Sequence, residues 1–246
     1  MNRIEDYEVL KNRIVRWIKD YADSNGIKSL VVGVSGGIDS AVTSTLAAET
    51  GLMTYCIGMP LLQKEEQESL SDIHLDWLGD TYWDTKTEKF DLTDTFQVFE
   101  KTMRGYGKDK LALANSRSRL RMVTLYQVAQ TVGGIVVGTG NKVEDYGIGF
   151  YTKYGDGGVD IAPIADLYKT EVWELGRHLG INERIINAKP TDGLWDDGRN
   201  DEDQIGASYA ELEEAMEHRT GSAVDILDKF SKQNRHKMEP IPTFKL

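Results

Sequence analysis

One cysteine, Cys56, stands among 246 residues, and proline occurs only five times. A lone cysteine builds neither a disulfide framework nor a thiolate metal site. It falls inside the apolar run Met53 to Met59, so it reads as a small buried hydrophobe. No stretch approaches the roughly 20 apolar residues of a membrane span, and the start MNRIEDYEVLKNRI has no apolar leader core. A membrane is therefore not an expected partner, and a cytoplasmic location is. Positive charge is also scarce: 29 Lys and Arg against 40 Asp and Glu leave a net charge of −11. That balance argues against an extended nucleic-acid surface, whose affinity comes from neutralising phosphates. A small anionic nucleotide is compatible with it, provided that local cations and Mg²⁺ offset the repulsion. Linkers, internal repeats and low-complexity segments are missing too, and the length suits one well-filled α/β domain over residues 1–246.

Apolar spacing supplies the fold class. Tyr7, Leu10, Ile14, Trp17, Ile18 and Tyr21 recur at helical intervals up to Gly26. Buried-strand runs follow at Leu30 to Val34, Met53 to Pro60 and Ile135 to Val137, and Thr81 to Asp84 suits a further strand. Between them, helical patterns cover Ser40 to Thr50, Glu65 to Leu78 and Lys110 to Val132, the last stopped by Gly133-Gly134. Strands alternating with helices predict a doubly wound, mainly parallel α/β sheet with helices on both faces, whose ligands gather at the carboxyl ends of the strands.

The stretch VVGVSGGIDS (Val31 to Ser40) turns from such a strand into a helix. Unpaired N–H groups at a helix start favour an anion, and Gly36 and Gly37 let the backbone approach one closely. No Lys follows the glycines as a Walker A loop requires, and the spacing of Gly33, Gly36 and Gly37 is not that of a Rossmann fingerprint. The segment resembles instead the SGGxDS pyrophosphate loop of the ATP pyrophosphatases, a superfamily with an adenine nucleotide alpha hydrolase-like fold that cleaves ATP between its α- and β-phosphates. Further on, FYTKYGDGGVD (Phe150 to Asp160), NSRSRLRM (Asn115 to Met122), PTDGLW (Pro190 to Trp195), DEDQIG (Asp201 to Gly206) and RHKMEP (Arg235 to Pro240) are similar, in order, to elements of the NAD synthetase family.

That resemblance implies a ligase. ATP adenylates the nicotinate carboxylate of deamido-NAD and releases pyrophosphate; ammonia then displaces AMP to give NAD. It implies that Gly33, Val34, Ser35, Gly36, Gly37, Ile38, Asp39 and Ser40 hold ATP together with Thr139, Lys169 and Thr191. Asp39 and Glu144 would hold Mg²⁺, and Arg119, Lys153, Asp160, His236 and Lys237 would contact deamido-NAD. No covalent nucleophile is implied. Glutamine-hydrolysing members carry a further domain with a catalytic cysteine, so free ammonia is the expected nitrogen donor, and a homodimer is the expected assembly. Departures occur at Asp192 and at Ser116, Arg117 and Ser118. The Gly-containing stretch Trp195 to Asp203 is expected to form a mobile loop that closes over ATP. Rival readings are an RNA-modifying ATP pyrophosphatase, whose basic module and catalytic cysteines are missing, and a nucleotide sensor without catalysis.

Overall fold

Leu30, Val31 and Val32 are completely buried because their strand lies inside the sheet and is covered on both faces. In the computed structural model, which describes residues 3–63, 65–107, 109–191 and 200–245, β1 (Ser29–Gly33) pairs in parallel with β2 (Met53–Gly58) and with β4 (Gly134–Val136). The parallel edge strand β3 (Thr85–Lys89) completes the order β3-β2-β1-β4. Successive side chains point to opposite faces. Leu30 and Val32 pack with residues of α1 (Tyr7–Ser24), α2 (Ile38–Ala48) and α6 (Lys169–His178). Val31 joins Ile57 and Val136 against Phe96 of α4 (Thr93–Thr102) and Ala129 of α5 (Lys110–Val132). Each of these fully buried aliphatic side chains contributes roughly 1.5–3 kcal/mol.

Cys56 lies in a smaller cluster with Leu75 and Leu78 of α3 (Glu65–Thr81), fully buried and unpaired as a small hydrophobe. Beyond β4 the chain forms a π-helical turn (Lys142–Ile148) and the helices α7 (Glu183–Ile186), α8 (Asp201–Ile205), α9 (Tyr209–His218) and α10 (Val224–Met238). Val143 and Ile148 of the turn pack with Tyr209, Leu212 and Leu227 in a core of their own.

The long helix α5 has the bounds read from its pattern. Asp109 caps its start by accepting from Ala112 N–H at 3.0 Å, and Gly133 ends it at φ 64°. At Gly134 a Cβ would lie 2.6 Å from Ser29 Oγ, so the second glycine allows β4 to approach β1. One strand is misplaced in the sequence reading. Thr81 to Asp84 is not a strand: α3 runs through Thr81, and the strand follows at Thr85–Lys89. Tyr82 instead packs edge-on against Trp77 at 5.9 Å, and the polar edge strand TKTEK lacks the apolar run that marks a buried one.

The expected mobile loop is also cut short at its end, because Asn200 caps α8 and places Asp201, Glu202 and Asp203 in a helical turn. Asp192, Trp195 and the rest of that stretch up to residue 199 lie outside the described residues.

Candidate active site

The sheet delivers the ends of β1, β2 and β4 to one rim, and a cleft of about 1150 Å³ opens there. At its floor the chain leaves β1 through Ser35 and Gly36, the latter at φ 88°. Ser40 Oγ donates to Gly37 O at 2.9 Å and accepts from Ser35 N–H at 3.1 Å, while Gly37 N–H donates to Ser35 Oγ at 3.3 Å. The two hydroxyls thus hold the loop's shape. Gly37 is the N-cap of α2 and supplies no side-chain cap, so first-turn N–H groups stay open to an anion.

Asp39, in that first turn, meets groups from two distant elements. Lys169 opens α6, is 2% exposed, and donates to Asp39 Oδ2 at 2.5 Å and Glu144 Oε1 at 2.9 Å. Glu144 stands on the π-helical turn, whose N-cap Asn141 is completely buried. Asn141 Oδ1 accepts from Val143 and Glu144 N–H, and its amide donates to Asp39 Oδ1 at 3.3 Å. Tyr209, at the start of α9, donates its hydroxyl to Glu144 Oε1 at 2.6 Å. Its ring centroid lies 5.0 Å from Lys169 Nζ.

Two acids share one ammonium here. Burial opposes the charge of Lys169, but Asp39 and Glu144 outweigh it and hold its pKa above the ordinary lysine value. Burial likewise opposes ionisation of Glu144, yet Lys169 and the Tyr209 hydroxyl keep its carboxyl below the usual range. Asp39 is left under-compensated: burial lifts its carboxyl despite Lys169, and the negative Glu144 adds to the rise. A further cation is the natural complement. Lys169 Nζ marks the point on which both carboxylates converge. Among the described residues no group of three or more His, Cys, Asp or Glu side chains is placed to hold a metal. The two carboxylates that converge on one cation are oxygen donors of the kind Mg²⁺ takes, a hard ion that uses one or two carboxylates and draws its other oxygens from water and phosphates.

All the residues expected to hold ATP, from Gly33 to Ser40 with Thr139, Lys169 and Thr191, line this cleft, as does Glu144. Those expected to contact the second substrate divide. Lys237 lines the cleft and donates to Tyr151 O at 2.5 Å. Arg119 is exposed and donates to Lys153 O at 3.2 Å; Lys153 in turn donates to His236 O at 3.3 Å. These three form a connected basic patch outside the lining. Asp160 is outside the lining, next to Val136 and Val159, which belong to it, and accepts from Val136 N–H at 2.7 Å and from the Tyr126 hydroxyl at 3.1 Å.

Sequence reasoning missed Asn141, Tyr209 and Asp201, whose Oδ2 lies 3.3 Å from the Tyr209 hydroxyl. A signal existed for Asn141, an N-cap type three residues before Glu144. Nothing local marked Tyr209, which reaches Glu144 across 65 positions.

The NAD synthase family profile matches residues 10–241. An NH(3)-dependent NAD(+) synthetase of Methanosarcina mazei is 37% identical, with 96% of this chain and 98% of that protein covered. Among solved structures, the NMN synthetase of Francisella tularensis superposes with a TM-score of 0.91 at 28% identity, covering 99% of this chain and all of that one. An NH3-dependent NAD synthetase of Campylobacter jejuni gives a TM-score of 0.80 at 22% identity, covering 98% and 100%, a likeness of fold. A phosphate-ready helix start, two carboxylates converging on one cation and a profile match over residues 10–241 all agree: the chain belongs to the NAD synthase family.

Proposed function

We propose that this chain is an ammonia-dependent ligase that adenylates the nicotinate carboxylate of deamido-NAD and amidates it to NAD. The observation that carries the reading is the convergence of Asp39 and Glu144 on Lys169 beside the uncapped start of α2. In the first step a carboxylate oxygen attacks the α-phosphorus of ATP, the bond to the bridging oxygen breaks, and pyrophosphate leaves. In the second, the lone pair of ammonia attacks the acyl carbon, a proton is lost, and AMP departs with the carboxylate oxygen. Loop N–H groups of residues 36–40 hold the leaving phosphates, and Lys169 neutralises charge that grows on them. Asp39 and Glu144 would hold Mg²⁺, which supplies further neutralisation of the pyrophosphate.

Ammonia, rather than glutamine, is the donor this chain uses. Cys56 is fully buried, and burial pushes its thiol up to about 12, so it is no amidase nucleophile. A homodimer is proposed as the assembly, as the resemblance to the family implies. No described helix is long and apolar enough to cross a membrane, in keeping with a cytoplasmic enzyme.

A second reading has a specific observation behind it. The likeness to the Francisella NMN synthetase favours a smaller acceptor, nicotinate mononucleotide, taken through the same two steps. Purified protein is incubated with ATP, Mg²⁺, ammonium and either acceptor, and AMP and amide product are measured. A higher kcat/KM with deamido-NAD supports the first reading, and a higher value with the mononucleotide selects the second. Absence of AMP with both sinks the amide-forming assignment.

A further inference from the structure

The cleft is acidic where it needs cations. Asp39, Glu144, Asp145 and Asp156 all line it, yet both substrates of the proposed reaction are polyanions. Its cations are mostly spoken for: Lys169 by Asp39 and Glu144, Lys89 by Glu68 and Asp72, Lys237 by Tyr151 O. Lys189 stands exposed at the edge. Arg121 differs from all of them. It is half-buried in the wall, its Nε donates to Met59 O at 3.1 Å, and it has no ion pair among the described residues. One helical turn earlier, Arg117 stacks 5.5 Å from the Phe96 ring with its buried Nε and one Nη unpartnered. Two neighbouring guanidinium groups with no ion pair, and only the distant attraction of Asp156, which is itself bonded to Ser118 and Thr152 N–H, are costly unless an anion is supplied from outside. Burial and the Arg117 charge push Arg121 down, against the pull of Asp156, only to about 10, so it stays charged at neutral pH.

Its location selects the anion. Ser118, Arg121 and Leu125 share one face of α5 by their spacing of three and four. At one end of this face Ser118 Oγ donates to Asp156 Oδ1 at 2.6 Å and accepts from Asp156 N–H, holding the 152–158 loop. At the other, Leu125 and Met59 close on Gly33, where a Cβ would meet them at 3.3 and 3.2 Å. Arg121 therefore lies between the entrance of the phosphate loop and the loop assigned to the acceptor. With Nε fixed on Met59 O, both Nη groups are left to form a fork.

We propose that Arg121 binds a substrate oxyanion at the seam between the two subsites, a role that rests on the nucleotide-ligase reading above. The oxyanion has two sources, the phosphates of ATP or the carboxylate and phosphates of the acceptor. Arg121→Met and Arg121→Lys are compared with wild type in two measurements: binding of α,β-methylene ATP without acceptor, and KM for the acceptor in turnover. Arg121→Met is expected to weaken one of these about 10- to 100-fold with Tm little changed. Weaker analogue binding places the oxyanion on the nucleotide; a higher acceptor KM with normal analogue binding places it on the acceptor. Arg121→Lys, a point charge without the fork, is expected to fall between wild type and Met. Both constants within twofold of wild type in Arg121→Met overturn the proposal. If that variant does not fold, wild-type constants in Arg121→Lys overturn it. A wild-type protein that binds the analogue but releases no AMP with any acceptor refutes the ligase reading and leaves the binding comparison intact.

Discussion

Lys169 Nζ lies 2.5 Å from Asp39 Oδ2 although 130 positions separate the two residues. This contact ties the start of α6 to the start of α2 and leaves Asp39 and Glu144 dependent on one buried cation. Lys169→Met removes that cation and leaves two adjacent carboxylates. A loss of about 3 kcal/mol is expected, at the low end for a broken buried pair, because Asp39 and Glu144 keep 18% and 15% exposure. Protonating the acids relieves their repulsion, so the deficit against wild type shrinks as pH falls. Denaturant unfolding of both proteins from pH 8 to pH 5 measures it, and a deficit that stays constant would contradict the pairing.

Tyr209 acts through Glu144. Tyr209→Phe keeps the ring in its core with Trp173, whose ring centroid is 5.9 Å away, and deletes the hydroxyl bonded to Glu144 at 2.6 Å. A stability loss of about 1–2 kcal/mol is expected, with a higher Mg²⁺ requirement for turnover and an unchanged acceptor KM. Kinetic titrations of Mg²⁺ and of acceptor check it; an acceptor KM that rises with a fixed Mg²⁺ requirement would assign Tyr209 elsewhere.

Gly155 packs where no side chain fits, since a Cβ there would lie 2.2 Å from Ser118 Oγ and 2.9 Å from Thr152 Cβ. Gly155→Ala is expected to push the 152–158 loop off α5, at a cost of about 1–3 kcal/mol. The acceptor KM should rise while ATP-analogue binding holds, as should follow for Lys153→Ala on the same loop. Calorimetric titration of the analogue alongside steady-state kinetics separates the two effects.

His74 gives the fold a pH dependence of its own. Its Nε2 lies 2.9 Å from Ser44 Oγ, and burial between α2 and α3 pushes its pKa down to about 4. The fold therefore prefers the neutral ring. Its contribution is fully present above the unfolded value near 6.5 and is lost as pH falls from there through about 4. The difference corresponds to roughly 3 kcal/mol. His74→Gln is expected to flatten the stability profile in that window, which unfolding curves at successive pH values resolve; an unchanged slope would contradict it.

What was legible in the sequence follows from range. The turn at Ser35 to Ser40 announces itself because hydroxyls, glycines and an acid fall within six consecutive positions, and α5 because its cap and stop signals are local. β3 hid because an edge strand with exposed Lys and Glu needs no apolar run. Asn141 and Tyr209 hid because their partners are supplied by folding: Asn141 meets Asp39 across 102 positions. Arg119 and Arg121 differ by two positions in one motif, yet only Arg121 lines the cleft. Two residues on a helix turn by about 200°, so they face opposite ways.

Isotope transfer tests adenylation most directly. The acceptor is labelled with ¹⁸O in its nicotinate carboxylate and turned over by purified protein with ATP, Mg²⁺ and ammonium, and the phosphate products are analysed by mass spectrometry. Attack of the carboxylate on the α-phosphorus predicts one ¹⁸O in AMP for each amide formed and none in pyrophosphate. Unlabelled AMP, or label in orthophosphate released together with ADP, would contradict it.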